Sequence, residues 1–220
     1  MKQTRQIYYD LFSKIYDYFV LLHSSDKSQK LRRWFIHKAE IKPGMKILDL
    51  CTGTGSVALM LKKILEKNLV IGMDFSEGML RKAMSKSCNY LNLYWIKGNA
   101  TELPFKDKSF DIVLCSYAFY ELKNKDKLKA MIEIKRVIKD GGKFCMMEHE
   151  EPSKPLLKLL YRIRIASMGS LDSVKFLKNE LNLIHSFFGN VTKYVSPSGN
   201  SKIIIAIKKM EVKIDECICL

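Results

Sequence analysis

The residues best suited to chemistry lie in a glycine-containing turn that follows a short apolar run. The run covers 46–50, and Gly53 and Gly55 follow it just before a helical pattern. A buried strand, a glycine turn and a helix start suit a nucleotide, because glycine lets a ligand approach the backbone closely. Residues 53–58 satisfy the G-x-G-x-x-A form of a dinucleotide site, and Asp74 follows about 20 positions later. These residues predict a nucleotide-type ligand but leave open NAD, another nucleotide, or a turn with a structural role alone.

Two residues that can exchange protons follow the apolar run at 143–147. Glu148 and His149 stand where a fifth strand is expected to end. Substrate sites of open α/β sheets lie at the carboxyl ends of the strands, and an unperturbed histidine titrates near neutral pH. His149 is therefore the candidate catalytic base. The alternative is that these residues form a charged surface segment that ends the strand.

The elements that must position these residues alternate along the chain. Apolar runs typical of strands lie at 46–50, 69–73, 93–96, 110–116 and 143–147. Helical patterns lie between them at 57–65, 76–84 and 126–138, and a turn signal follows at 140–142. This alternation predicts an α/β fold with a mostly parallel sheet and helices on both faces.

The last third of the chain departs from the alternation. Two helical patterns, at 154–166 and 174–188, are followed by apolar runs at 191–195 and 203–207. The runs flank a Pro-Ser-Gly-Asn sequence, and two strands joined by a short loop of turn residues predict a hairpin. The sheet is therefore expected to end with an antiparallel strand.

One domain is expected over 1–210, with a helical N-terminal lid at 1–40, a helical insertion at 151–188 and a tail at 211–220. Chains inserted after the fifth strand of such a sheet emerge at its ligand-binding edge. The apolar faces of the lid and the insertion are therefore predicted to close an apolar and aromatic acceptor pocket. Tyr117 and Tyr120 are further candidates for its wall.

Four motifs in a fixed order distinguish between the nucleotide ligands. The first is the segment 49–55 with Asp49, Gly53 and Gly55, and the second is the segment 71–79 with Asp74. The third and fourth are the segments 98–113 and 136–143. In this order they resemble class I S-adenosylmethionine-dependent methyltransferases, most strongly the branch that includes the ubiquinone/menaquinone-biosynthesis C-methyltransferases. The tyrosine- and aspartate-containing start of the chain also looks like the helix that precedes the first motif in that family.

The resemblance implies a Rossmann-like methyltransferase fold with seven strands, S-adenosylmethionine as cofactor and S-adenosylhomocysteine as product. By position, Asp49 is expected at the methionine amino group, Asp74 at both ribose hydroxyls, and Asn99 at the adenine edge. The family more often has aspartate at the last of these positions. The implied cofactor-binding residues are Tyr16, Asp49, Cys51, Gly53, Thr54, Gly55, Asp74, Phe75, Met79, Asn99, Ala100 and Ser116.

The resemblance also implies methyl transfer by in-line displacement to a small acceptor. The aromatic N-terminal pattern favours an apolar, lipid-like or quinone-like molecule. The segment after Glu148 matches the quinone enzymes weakly, so their substrate does not carry over. Two alternatives stay open, namely methylation of RNA or protein and, from another class, an NAD-dependent oxidoreductase.

The charge of the chain bears on its partners. Lys and Arg number 38 against 23 Asp and Glu, which gives a formal charge of +15. This charge attracts polyanions, but the lysines are spread along the whole chain, so no specific nucleic acid is expected. The pattern at 154–166 is basic and amphipathic, and it predicts either a cover over the pocket or peripheral contact with an anionic membrane.

The cysteines and the apolar runs bear on localisation. The six cysteines are scattered without metal-ligand spacing, so reduced thiols and no metal site are expected. No apolar run approaches the roughly 20 residues that span a bilayer, and no secretory pattern opens the chain. A cytoplasmic protein with peripheral membrane contact as an option is therefore expected. The terminal Cys-Ile-Cys-Leu is interpreted as a chance match to a lipidation motif.

Overall fold

The computed structural model describes Asp10 and residues 29–87, 90–168 and 171–210. The strands in these residues are β1 (Lys46–Leu50), β2 (Leu69–Asp74), β3 (Leu93–Lys97), β4 (Phe110–Ser116), β5 (Ile138–His149), β6 (Asn190–Val195) and β7 (Ser201–Ile207). The helices are α1 (Lys30–Ala39), α2 (Ser56–Ile64), α3 (Glu77–Ser85), α4 (Asn124–Val137), α5 (Pro155–Met168) and α6 (Leu171–Phe187), with a short 3-10 turn at Phe119–Glu121.

The strands form one sheet in the order β3-β2-β1-β4-β5-β7-β6. Strands β1 to β5 pair in parallel, whereas β7 runs antiparallel to both β5 and β6. The prediction of an α/β fold with a mostly parallel seven-stranded sheet and an antiparallel C-terminal hairpin strand is confirmed. The chain reverses its direction of travel across the sheet between β1 and β4, and ligands of such sheets bind outside the carboxyl ends of the strands there.

The central strands are apolar because helices cover both faces of the sheet. In β1, Ile47, Leu48 and Leu50 have no exposed surface, which is typical of a parallel strand covered on both sides. One core, around Phe144, lies between the sheet and helices α4 and α6. The second core, around Phe35, lies between the sheet and helices α1 and α2. These two cores hold the strand ends at which the site forms.

The fifth strand begins earlier than predicted, and the predicted turn at 140–142 lies inside it. Phe110 pairs with Ile138, whereas Ile112 pairs with Lys143, so extra β5 residues form a bulge. The bulge is bonded to the chain beyond β7, because the Gly141 N–H donates to the Lys208 carbonyl at 3.0 Å. The turn signal therefore bends the strand instead of separating it from α4.

Two further observations concern the predictions on membrane spans and on the cysteines. Among the helices of the described residues, none is long and apolar enough to cross a membrane. Cys51, Cys115 and Cys145 are free thiols, and the other three cysteines lie outside the described residues.

Candidate active site

A cavity of about 850 Å³ opens at the carboxyl ends of β1, β2 and β4. This volume lies within the range of roughly 300–1,000 Å³ that is typical of ligand pockets. The cavity sits where the sheet order reverses, as expected for a ligand site in this type of sheet. Nine of the predicted cofactor-binding residues line it, namely Cys51, Gly53, Thr54, Asp74, Phe75, Met79, Asn99, Ala100 and Ser116.

The carboxylate of Asp74 is fixed at the cavity wall by two backbone groups. Its Oδ1 accepts from the Ser76 N–H and its Oδ2 from the Gly53 N–H, both at 2.9 Å. Each oxygen keeps lone-pair capacity for a further donor. Burial raises the pKa of Asp74 to about 6, although these two hydrogen bonds act in the opposite direction. Asp74 is therefore mostly ionised at neutral pH and suits a ligand with two neighbouring hydroxyl groups.

Asp49 lies behind the cavity wall and does not line it. Its Oδ2 accepts from the Thr52 hydroxyl at 2.5 Å and from the Ala58 N–H at 3.2 Å. Its Oδ1 is buried and has no hydrogen-bond partner among the described residues. Burial raises the pKa of Asp49 to about 7 against the lowering effect of the Thr52 hydroxyl. A buried carboxylate oxygen without a partner, next to a cavity, suits a cationic group such as an amino group.

Asn99 lines the same cavity and stands two residues after the end of β3. Its side-chain oxygen accepts from the Thr101 N–H at 3.1 Å, which fixes the amide in a local turn. The oxygen retains a second lone pair and the amide group can donate, so both can meet the edge of a base.

The two glycines of the turn are required for different reasons. Gly53 has a φ of +56°, and a Cβ built on it would meet no atom within 4 Å, so it borders open space at the cavity. Gly55 has a φ of +78°, and its Cβ would lie 2.4 Å from the Trp95 ring. Gly55 does not line the cavity, so packing against Trp95 explains its glycine, whereas the argument from ligand approach applies to Gly53.

The remaining predicted residues lie in three different places. Tyr16 falls outside the described residues. His149 ends β5 and does not line the cavity, but its ring centroid is 4.8 Å from that of Tyr117, which does. The ring of Tyr120 is 5.6 Å from His149, and Tyr120 is buried away from the cavity. Of the two tyrosines expected in the wall, the fold therefore places only Tyr117 there.

Charged residues that the motifs did not identify also line the cavity. They are Arg32 from α1, Lys97 from the end of β3, and Glu121, Lys123, Lys125 and Asp126 around the start of α4. No local pattern marks them, because they reach the cavity only when α1 and the segment before α4 fold against the sheet. Groups of side chains that could hold a metal ion are not found among the described residues.

Asp10 makes contact with the same region from the start of the chain. Its Oδ1 accepts from the Ser76 hydroxyl at 2.6 Å and from the Gly78 N–H at 2.9 Å. Ser76 also donates its N–H to Asp74. Asp10 therefore supports the loop that fixes Asp74, the carboxylate predicted to bind the ribose. In the sequence, the sign of this contact was that the start of the chain resembles the helix that precedes the first motif in the methyltransferase family.

Comparison with known sequences identifies the family. The profile of the ubiE/COQ5 methyltransferase family matches residues 2–179. The demethylmenaquinone methyltransferase of Staphylococcus aureus (strain MRSA252) is 32% identical over 180 residues, which cover 81% of this chain and 73% of that protein.

Comparison with solved structures supports the fold. A SAM-dependent methyltransferase from Aquifex aeolicus matches 80% of this chain and 88% of its own, with a TM-score of 0.65 and 22% identity. Phosphoethanolamine N-methyltransferase 2 of Haemonchus contortus, solved with S-adenosyl-L-methionine, matches 82% of this chain and 52% of its own, with a TM-score of 0.61 and 16% identity. The unpartnered Asp49 oxygen and the Asp74 carboxylate fit the amino group and ribose of that cofactor. The predicted family, cofactor and enzyme class are confirmed, and the chain is an S-adenosylmethionine-dependent methyltransferase that belongs to the ubiE/COQ5 methyltransferase family.

Proposed function

We propose that the protein transfers the methyl group to a ring carbon of a quinol-type acceptor of the demethylmenaquinone kind. The supporting observation in the fold is that Tyr117, Ala118 and Leu122 line the same cavity as the predicted cofactor residues and add an aromatic and apolar part to a wall that also holds charged residues. That part of the wall suits a planar, largely apolar molecule. The Staphylococcus aureus relative is named for demethylmenaquinone, which makes this acceptor class the first to test.

The proposed reaction is an in-line displacement on carbon. S-adenosylmethionine, when bound, supplies a methyl group on a positively charged sulfur. A bond forms between the acceptor carbon and the methyl carbon, the methyl–sulfur bond breaks with its electron pair left on sulfur, and the ring proton leaves to a base. The chain must align the two molecules and exclude water. Asp49 and Asp74 are proposed to fix the donor, and Tyr117 with Leu122 to enclose the acceptor.

His149 is proposed as the base that takes up the ring proton. It stands at the carboxyl end of β5, and its ring packs against that of Tyr117, which lines the cavity. Proton transfer from the cavity to His149 requires a bridging water or a shift of the tyrosine, which a general base tolerates. A base outside the cavity wall can also pass the proton on to solvent.

The proposed function predicts methylation of a short-chain demethylmenaquinol with radiolabelled S-adenosylmethionine. Label should enter the quinol, one methyl group for each S-adenosylhomocysteine formed. The matched control is the same quinol with a methyl group already at the reacting carbon, which should stay unlabelled. Bulk RNA and unrelated proteins should gain no label at physiological salt, because the surface lysines bind polyanions without selecting a site. Labelling of RNA or protein in place of the quinol would reject the proposal.

We also propose that helix α5 contacts an anionic membrane surface, where an apolar acceptor could be reached. Leu156, Leu159, Leu160 and Ile163 recur at helical spacing and are each more than half exposed. Lys154 is exposed at the start of the helix, and Lys158 and Arg162 pair with Glu151 at 2.8 and 2.6 Å. An apolar helix face bordered by cations is the feature that binds anionic bilayers.

Vesicle flotation tests the contact. The protein should float with vesicles that contain phosphatidylglycerol and much less with pure phosphatidylcholine. The double substitution Leu159→Glu/Leu160→Glu should reduce flotation at least about tenfold, because two charges would enter the acyl boundary. Leu91→Glu is the matched control, since Leu91 is the most exposed of the large apolar residues described and lies outside α5. Equal loss in the control and the double variant would show that α5 is not the contact.

A further inference from the structure

Tyr117 has an unusual backbone conformation for an aromatic residue. Its φ is +50°, in the left-handed region that residues other than glycine rarely adopt. It directly follows β4 and lines the cavity. Strained residues of this kind persist only when their surroundings fix them, and they cluster at ligand sites.

Three contacts from β5 and β7 fix Tyr117. Its N–H donates to the Met147 carbonyl at 2.8 Å. Its phenol oxygen and the Ser201 hydroxyl lie 2.7 Å apart and share a hydrogen bond. Its ring packs at a tilt against His149, with 4.8 Å between the ring centroids. Both ends of the residue are thus attached to neighbouring strands.

Glu148 fixes the residues that follow Tyr117. Its Oε1 accepts from the N–H groups of Phe119 and Tyr120 at 3.0 and 3.3 Å, at the start of the 3-10 turn. The side chain has no exposed surface, and Oε2 has no hydrogen-bond partner among the described residues. Burial raises the pKa of Glu148 to about 8, so the carboxyl group is largely protonated at neutral pH. Only Oε1 accepts hydrogen bonds from the turn. A glutamine side chain has the same shape as protonated glutamate and keeps one such oxygen.

We propose that Tyr117 is the specificity-determining contact for a planar aromatic acceptor ring and that Glu148 is the positioning residue that holds it there. This inference rests on the proposed function, because it takes the acceptor to be an aromatic quinol. Offset or edge-on packing of an aromatic ring against a tyrosine is favourable and selects flat ligands over bulky ones. Glu148 acts through the backbone of the turn and is not a catalytic residue.

Calorimetric binding of 1-naphthol to the protein saturated with S-adenosylhomocysteine tests the inference. 1-Naphthol is a flat phenol that is less easily oxidised than a quinol, and S-adenosylhomocysteine carries no methyl group to transfer, so binding is measured without turnover. Tyr117→Leu and Glu148→Leu should each weaken its binding at least about fivefold, because a ring contact is lost or misplaced. Glu148→Gln is the matched control and should stay within about twofold, since it keeps the oxygen that accepts from Phe119 and Tyr120.

Affinity for S-adenosylhomocysteine separates a local role from a general loss of structure. The affinity for S-adenosylhomocysteine should stay within about threefold in all variants, because the hydrogen bonds described above join Tyr117 and Glu148 to β5, β7 and the 3-10 turn. If Glu148→Leu does not fold, Ser201→Ala removes the phenol anchor and should weaken 1-naphthol about two- to threefold. Unchanged 1-naphthol binding in Tyr117→Leu, or no binding by the unsubstituted protein, would overturn the inference. Binding of 1-naphthol without methylation of demethylmenaquinol would instead count against the proposed function alone.

Discussion

Replacing Asp74 with alanine is expected to weaken S-adenosylhomocysteine binding at least about 100-fold, or roughly 3 kcal/mol. The proposed ribose contact supplies two charge-assisted hydrogen bonds, each worth about 1.5–3 kcal/mol. The same carboxylate also holds the Gly53 N–H and the Ser76 N–H at 2.9 Å. Alanine would therefore remove the ligand contact and release the glycine turn together. Isothermal titration calorimetry at neutral pH gives the affinity directly.

Asparagine should not rescue Asp74. Each carboxylate oxygen faces a backbone N–H, so either orientation of the amide would place a donor against a donor. The matched control is Glu121→Gln, because Glu121 is an acidic residue of the same cavity without a proposed contact to the cofactor. We expect its effect to stay below about threefold. An affinity for S-adenosylhomocysteine in Asp74→Ala that equals that of Glu121→Gln would rule out Asp74 as the ribose ligand.

The affinity for S-adenosylmethionine is expected to fall as the pH is lowered through about 7. Burial raises the pKa of Asp49 to about 7 in the ligand-free protein, whereas the cationic amino group of the ligand requires the carboxylate. Below that pH, binding must displace a proton from Asp49, which costs up to tenfold in affinity for each pH unit. Between pH 8 and pH 5.5 we expect a loss of about 10- to 30-fold, to which Asp74 adds below its own pKa of about 6.

Asp49→Asn provides the test of this assignment. The variant should bind about 10- to 100-fold more weakly at pH 8, because a buried charge pair is lost. Its affinity should also vary less with pH between 6 and 8. Calorimetry of the unsubstituted protein in two buffers with different ionisation enthalpies should detect proton release on binding near pH 7. If the affinity of Asp49→Asn for S-adenosylmethionine depended equally steeply on pH, the titrating group would be a residue other than Asp49.

The same titration affects stability with a definite sign. The pKa of Asp49 is raised from 3.8 to about 7 on folding, so the folded protein binds more protons than the unfolded chain in this interval. The contribution of Asp49 to the free energy of unfolding of the ligand-free protein should therefore fall as the pH rises from about 4 to about 7, so this fall should be absent in Asp49→Asn. Ligand binding offsets the loss, because the ligand cation stabilises the ionised carboxylate.

The sequence by itself determined the β1–turn–α2 unit, the acid at the end of β2 and the C-terminal hairpin. These features depend on local patterns, namely apolar runs, glycines that can adopt positive φ, and caps. Ser76, for example, opens the helical pattern predicted at 76–84, and its hydroxyl caps α3 by accepting from the Met79 N–H at 3.2 Å. Because the carboxyl ends of the parallel strands share one edge of the sheet, the order of the motifs also placed most of the predicted cofactor residues around one cavity.

Only the tertiary structure decided which residues stand in the wall and which stand behind it. Asp49 and Gly55 belong to the motif, yet one lies beneath the turn and the other packs on Trp95. Tyr117 shares a hydrogen bond with Ser201, a residue 84 positions away, and the Glu148 carboxyl accepts from Phe119 in the turn that follows the neighbouring strand β4. Such contacts depend on how strands and helices stack after folding, and residues distant along the chain carry no periodic signal of their later proximity.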